Sequence, residues 1–327
     1  MLSLQVLIPT YNKKIEDIQN KCSFWNLETD ALISVQSDHY EEKSFYFKDH
    51  LVTVIFNTTK GVSVNRNILI EKCSADIGVF IDDDCSMVSG YYKKITDFYE
   101  KNSCDCVCFN GFLPQKNSNV LIHNSKSKKV TKFHDVSSVG GPGFSAKSSF
   151  LKSSAIRFDG KLGTPNFIVL GEDSTFIKNI FDSGCLFYRS SDPVFKIEED
   201  LDNSSYFNGF GDYRFLISKG FVCKNIYKNF YFIVKHIHAL KLSKKNNLKL
   251  STILKLYDIG ASLKRKKESN KLIYIDLKEK KTVYFFEKAM DFDSYYELIS
   301  KIYLSTNPTN INEILNQKNV AYRTKKK

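Results

Sequence analysis

Proline is scarce (6) and glycine modest (15) in a chain of 327 residues, which excludes collagen-like and linker-dominated architectures. No run reaches the roughly 18 apolar residues that a membrane span requires. The nearest approach, residues 226–240, is broken by Lys228, Lys235, His236 and His238. A basic leader is also missing. Met1-Leu-Ser-Leu-Gln-Val-Leu-Ile-Pro9 runs straight into a strand-like segment and does not read as a signal peptide. The eight cysteines (22, 73, 85, 104, 106, 108, 185 and 223) have no framework spacing, so unpaired thiols in a reducing cytosol are expected. Acids are in deficit, with 36 Asp+Glu against 48 Lys+Arg, and the net charge of +12 favours a polyanionic partner: nucleic acid, anionic lipid or a phosphorylated substrate. What is abundant is core material. Hydrophobic residues make up 42% and aromatics 14%, which excludes wholesale disorder and leaves room for one large domain or two modest ones.

The first part of the chain alternates strand-like and helix-like patterns. Leu4 to Thr10 is a β-rich run stopped by Pro9, and Lys13 to Cys22 reads as a helix. Ala31 to Gln36 and Leu51 to Phe56 are further apolar runs. Gly61 to Cys73 places Val64, Ile68 and Leu69 at helical spacing. Ile77 to Ile81 is almost wholly apolar, as a central strand buried on both faces should be, and ends abruptly in Asp82-Asp83-Asp84. A helix over Gly90 to Lys101 and a strand over Asp105 to Phe112 follow. This alternation predicts an α/β domain with a mixed, mostly parallel sheet flanked by helices. Residues 113–132 read as a long loop or exposed hairpin, Gly140-Gly141-Pro142-Gly143 as a tight turn, and Gly171 to Gly184 as a helix with an acidic start. Beyond Lys224 the composition changes to a basic, aromatic-rich stretch ending near Lys267. A hairpin over Lys271 to Phe286 and a helix over Phe292 to Leu304 complete the chain.

The aspartate triplet is the strongest local feature. Ligands in open α/β sheets bind beyond the carboxyl ends of strands, where this cluster is predicted to sit. Hard carboxylate oxygens there suit Mg²⁺ or Mn²⁺, which in turn bridge phosphate oxygens. The bland alternative is a solvated acidic loop or a helix cap. Glu172-Asp173 has a similar alternative, since acids favour the start of a helix. Cys104, Cys106 and Cys108 recur with period two, which predicts three thiols packed on one face of a strand, because zinc knuckles prefer a two-residue gap. His236 and His238 diverge on a helix and suit a partial-core role. There is no Walker A loop, dinucleotide fingerprint or Gly-x-Ser-x-Gly elbow.

Four ordered pieces carry a resemblance. They are Val6-Leu-Ile-Pro-Thr-Tyr-Asn12, Lys60-Gly-Val-Ser-Val-Asn-Arg-Asn67, Val79-Phe-Ile-Asp-Asp-Asp84, and Phe158-Asp-Gly-Lys-Leu-Gly163 followed by Gly171-Glu-Asp-Ser-Thr-Phe176. Together they resemble the family 2 glycosyltransferases of GT-A fold, over roughly residues 3–220. Ser34-Val35-Gln36 and Ser204-Ser-Tyr-Phe-Asn-Gly209 bring it nearest to the bacterial branch that builds capsular and surface polysaccharides. The resemblance implies that Pro9, Tyr11, Asn12, Gln36 and Asp38 hold the base and ribose of a nucleotide sugar. Arg66 would face the phosphates or the aspartate loop. Asp82 and Asp83 would lie against the donor, and Asp84 with Asp82 would hold the Mg²⁺ or Mn²⁺. Asp173 would be the general base, with Glu172 helping to hold the acceptor. Where several branches place a histidine as a further metal ligand, this chain has Glu198 and Glu199.

The expected architecture is a GT-A domain over 1–223, divided into a nucleotide-sugar half (1–112) and an acceptor half (113–223), with a basic helical extension and small mixed tail over 224–327. The implied activity is metal-dependent, inverting transfer from a nucleoside-diphosphate sugar, UDP-linked by preference, to a glycan hydroxyl. The implied location is the cytoplasm or the inner face of the cell membrane. For Lys224–Lys267, docking on an anionic membrane near a lipid-linked acceptor, nucleic-acid binding and a solvated lysine face all stand as readings, and no nucleic-acid partner is expected. Two rival functions are a sugar-phosphate nucleotidylyltransferase, which should show a lysine- and glycine-rich loop after the first strand, and a non-catalytic basic binding protein.

Overall fold

In a computed structural model of the chain, residues 2–115, 118–137, 139–166, 168–198, 213–246 and 249–263 are described, together with the backbone of three short strands near the carboxyl end. The chain divides into two compact units. The first comprises Met1–Gly160 and Glu172–Ser204, and the second Lys161–Gly171 and Ser205–Lys327.

The first unit is built on one large sheet. Its parallel heart consists of β4 (His50–Asn57), β2 (Asp30–Gln36), β1 (Leu4–Tyr11) and β5 (Ile77–Phe80), in that order across the sheet. The edge strand β3 (Glu41–Phe47), which has no clear apolar alternation, pairs antiparallel with β4. On the other side of β5 the sheet turns largely antiparallel. β10 (Phe144–Lys147) runs against both β5 and β7 (Cys106–Gln115), and β11 (Phe187–Ile197) returns parallel to β7. The short β6 (Cys85–Met87) closes the far edge against β11. The hairpin expected after residue 113 exists: β8 (Ser118–Leu121) folds back on β7, and the two-residue β9 (Lys128–Lys129) pairs with β11.

Pro9 does not stop the first strand, which continues to Tyr11. It pairs in register with Ser34 of β2, beyond Leu7, the last residue of β1 in register with β5. A proline is tolerated where a strand has lost one neighbour.

Successive residues of the central strands alternate between two cores, as a doubly covered sheet requires. Val6, Ile8, Ile33 and Val54 pack on one face with α1 (Ile15–Phe24) and α3 (Tyr91–Lys101). Leu7, Leu32, Ile55 and Phe80 pack on the other with α2 (Val62–Lys72), α4 (Ser148–Ser153) and α5 (Glu172–Asp182). The cysteine triplet splits between these cores. Cys106 and Cys108 lie in the α2/α5 core, whereas Cys104 precedes the strand and joins the opposite one, so the three thiols do not share a face.

The second unit contains α6 (Tyr213–Tyr227), α7 (Tyr231–Asn246) and α8 (Leu250–Ser262). Gly220 and Gly260 let α6 and α8 meet closely: a Cβ on Gly260 would stand 2.7 Å from the Phe221 backbone nitrogen, and one on Gly220 would reach the Tyr257 backbone. Burial of Phe215, Leu216, Ile253 and Tyr257 accompanies this contact. The boundary expected at 223/224 therefore falls inside a continuous helix, because the apolar face of α6 runs through it. The expected hairpin is present as β12 (Ile273–Ile275) against β13 (Thr282–Phe286), with β14 (Tyr322–Lys326) added on the other side of β13. The helix expected over Phe292 to Leu304 lies outside the described residues.

Candidate active site

Two acidic segments meet on one buried guanidinium in the first unit. Asp82 follows the carboxyl end of β5, and Glu172 and Asp173 open α5, where the unpaired N–H groups of a helix start favour negative charge. Arg66 reaches both from the middle of α2. Its Nη2 donates to Asp82 Oδ1 at 2.7 Å, its Nη1 to Asp173 Oδ1 at 2.8 Å, and Glu172 Oε1 lies 3.8 Å from Nη1. Only 4% of the Arg66 side chain is exposed. Burial opposes its charge, but Asp173, Asp82 and Glu172 outweigh that cost and raise its pKa above the ordinary arginine value.

Further contacts hold Arg66 in place, although its Nε is buried without a hydrogen-bond partner among the described residues. The ring of Phe158 lies 5.4 Å from the guanidinium carbon. Phe158 is itself clamped to α2, because Asn67 Nδ2 donates to its carbonyl and its N–H donates to Asn67 Oδ1, both at 2.8 Å. Its ring stacks on Phe176 of α5 at 3.9 Å between centroids. The Gly140–Gly143 turn closes the site from above. A Cβ on Gly141 would sit 3.0 Å from both Arg66 Nη2 and Asp173 Oδ1, so only glycine leaves that approach open.

The carboxylates respond to this confinement. Desolvation, the charge of Asp173 and that of Asp82 push Glu172 up to about 7, with Arg66 acting in the opposite sense. Burial also raises Asp173, again against Arg66 and a hydrogen bond from the Gly141 backbone. Arg66 is nearer to Asp173 than to Glu172, so it supports the ionised form of Asp173 more strongly. Among the described residues Glu172 Oε2 is buried without a hydrogen-bond partner.

Beside this cluster the remaining predicted residues line the ends of β1, β2 and β5. The Asn12 N–H donates to the Gln36 carbonyl at 3.0 Å, and Asn12 takes a left-handed backbone with φ of 50°. Gln36 Oε1 accepts from the Gly61 N–H at 3.0 Å, which ties β2 to the start of α2. Tyr11, the last residue of β1, is 71% exposed, whereas Pro9 is buried within the strand. Asp38 is exposed and hydrogen-bonds His39, which holds its carboxyl below the usual range. Asp83 accepts from Thr10 Oγ1, and its carbonyl accepts from Lys21 Nζ at 3.0 Å and Trp25 Nε1 at 3.3 Å. The buried Asn65 amide donates to the Thr10 and Ser34 carbonyls, joining β1 and β2 behind the site. Thr10, Lys21, Trp25 and Asn65 are absent from the sequence prediction. Thr10 and Asn65 lie within the motif pieces that carry the resemblance but received no role there, whereas nothing local marks Lys21 and Trp25, which act on a loop reached only through the fold.

Residues 28–157 match the family model described as Glycosyl transferase family 2. The chain carries a glycosyltransferase domain. The matched stretch holds Gln36, Asp38, Arg66 and the aspartate triplet, while Glu172 and Asp173 lie beyond it. The fold of this glycosyltransferase is of the GT-A type and is similar to that of S. aureus TarS. The crystal structure of TarS 1-349 is 12% identical with a TM-score of 0.51, covering 82% of this chain and 94% of that one. The same TarS fragment in complex with UDP is 12% identical with a TM-score of 0.51, covering 84% and 95%. Its complex with UDP-GlcNAc is 11% identical with a TM-score of 0.50, covering 82% and 94%. No curated protein matches the sequence.

The chemistry of the donor set fits a hard dication of modest protein ligation. Among the described residues no group of three or more His, Cys, Asp or Glu side chains is close enough to form a cage. An ion here would take one or two carboxylates, from Asp82 and Asp84, with waters and phosphate oxygens completing its shell, as Mg²⁺ commonly does. Glu198 is an unpromising addition. Its carboxylate accepts from Ser86 Oγ at 2.6 Å and pairs with Lys196 at 2.8 Å, while its N–H donates to the Asp84 carbonyl at 3.1 Å. Glu199 lies outside the described residues.

Proposed function

We propose that the enzyme transfers a sugar, with inversion, from a UDP-linked donor to a glycan hydroxyl during assembly of a capsular or other surface polysaccharide. The observation that carries this reading is the Arg66 bridge, which joins an acidic loop at the donor end of the sheet to an acidic pair able to serve an acceptor. The uridine base stacks near the exposed Tyr11, between Pro9, Asn12, Gln36 and Asp38. The UDP and UDP-GlcNAc complexes of TarS support that choice of donor.

Asp173, held ionised by Arg66, removes the acceptor proton. Its partner Glu172 holds the acceptor through Oε2, the buried oxygen that a substrate hydroxyl would satisfy. Asp82 and Asp84 hold Mg²⁺ or Mn²⁺, which when bound offsets the charge that builds on the departing diphosphate. Asp83 positions the loop through Thr10. The acceptor is lipid-linked, and the basic extension brings the enzyme to the anionic inner face of the cell membrane.

The test is thermal unfolding with UDP, GDP and CMP, each with Mn²⁺ or with chelator. A ligand that binds only the folded state raises the midpoint. The expected result is a rise with UDP that requires Mn²⁺. A rise that survives chelator would remove the metal from the reading, and no rise with any nucleotide would remove the donor site.

A further inference from the structure

Helix α7 buries one face and leaves a second apolar face in water. Tyr231, Lys235 and Ala239 are buried, and Lys235 is fixed there by Asp258 of α8 at 2.6 Å. On the opposite side Ile233, Ile237 and Leu240 are 57%, 47% and 48% exposed, in line at helical spacing. Two exposed rings lie near the start of this ridge but off its line: Phe230, 68% exposed, in the turn before α7, and Phe232, 65% exposed, around the helix beside Lys235 and His236. Lys244 continues the same line and Lys241 flanks it. From Ile233 to Lys244 the ridge is about 16 Å long.

Isolated exposed apolar residues need no explanation, but three in line on one helix face, with two exposed rings nearby, mark an interaction surface. Its electrostatic setting selects the occupant. Residues 224–263 hold eight lysines and one acid, a balance of +7, and that acid, Asp258, is already engaged by Lys235 and Tyr231. A protein groove would need an acidic rim to match this surface, whereas a leaflet of anionic lipid offers apolar depth and negative charge together. No described helix is long and apolar enough to cross a membrane, so a helix of this kind lies in the interface.

We propose that α7 seats on an anionic lipid leaflet, with Ile233, Ile237 and Leu240 inserted at headgroup depth and Lys241 and Lys244 against the phosphates. This deepens the membrane reading given under Proposed function and rests on it. Lysine charge alone would give weak, salt-labile attraction. The ridge adds an apolar contribution that salt does not screen.

Co-sedimentation of the full chain with vesicles of phosphatidylcholine, and of an equal mixture of phosphatidylcholine and phosphatidylglycerol, tests this. The wild type should bind the mixed vesicles and not the neutral ones. The pair Ile233→Ser and Ile237→Ser should lower the partition coefficient by roughly tenfold or more, from the lost burial of two side chains, with an unchanged unfolding midpoint. Equal binding by this pair and the wild type would overturn the inserted ridge yet leave electrostatic docking standing. Failure of the wild type to bind anionic vesicles would overturn both. A dimer in solution that the same pair dissolves, without vesicle binding, would assign the face to a second copy and overturn the proposal.

Discussion

Arg66 places a charge inside α2, with Asp82 and Asp173 bonded to it at 2.7 and 2.8 Å and Glu172 3.8 Å away. Asp173, the nearer of the acidic pair, is the base in our proposal, and Asp84 is a metal ligand. Asp173→Asn should therefore keep metal-dependent UDP binding and lose transfer by about two orders of magnitude or more. Asp84→Asn should weaken nucleotide binding itself. Titration calorimetry with UDP and Mn²⁺ separates the two, and equal loss of affinity in both variants would contradict the division of roles. Glu172 gives a pH prediction. Its folded pKa of about 7 lies above the ordinary 4.5, so between these values the folded state binds a proton that the unfolded state has lost. Stability from this group is complete below about 4.5 and declines as pH rises toward 7. Glu172→Gln lacks this decline. Its unfolding midpoint relative to wild type should rise between about pH 5 and about pH 8, and a constant difference would show that Glu172 titrates normally.

At the scale of elements, close backbone contact organises the helices of the second unit. A Cβ at Gly260 would collide with the Ile217 carbonyl and stand 2.7 Å from the Phe221 nitrogen, so α6 and α8 must separate to admit it. Gly260→Ala should cost about 1–3 kcal/mol, as overpacking of a tight contact does. Gly140→Ala is the control, since its added carbon meets only Pro142 at 3.6 Å. Urea unfolding of both variants measures the difference, and equal effects would mean that the helices can relax. The strands show why some elements were easier to read than others. β5 is four apolar residues buried on both faces, and its ending in three aspartates is unmistakable. β3 is half-exposed and charged, lies at an edge, and is held by pairing with β4 more than by any pattern of its own.

For the whole molecule, the net charge of +12 leaves nucleic acid as a rival partner. Attraction of that kind rests on phosphate neutralisation and falls steeply with salt. Binding to RNA or DNA should be weak, independent of sequence and abolished as salt rises from about 50 to about 200 mM. Filter binding across that range checks this. A salt-resistant complex would favour the nucleic-acid binder over the glycosyltransferase reading of the basic segment.

The α/β class and the aspartate cluster placed after a buried strand were determined by the sequence alone. Buried parallel strands must be apolar throughout, so the acidic run that follows one stands out. Only tertiary structure decided that Asp82 and Asp173, 91 positions apart, share one guanidinium, and that Thr10, Trp25 and Asn65 support them. It also separated Cys104 from its two neighbours and carried α6 across the expected boundary. Local pattern reports which face of an element avoids water. Which elements then meet depends on the packing of those faces across the whole sheet, which no short stretch of sequence encodes.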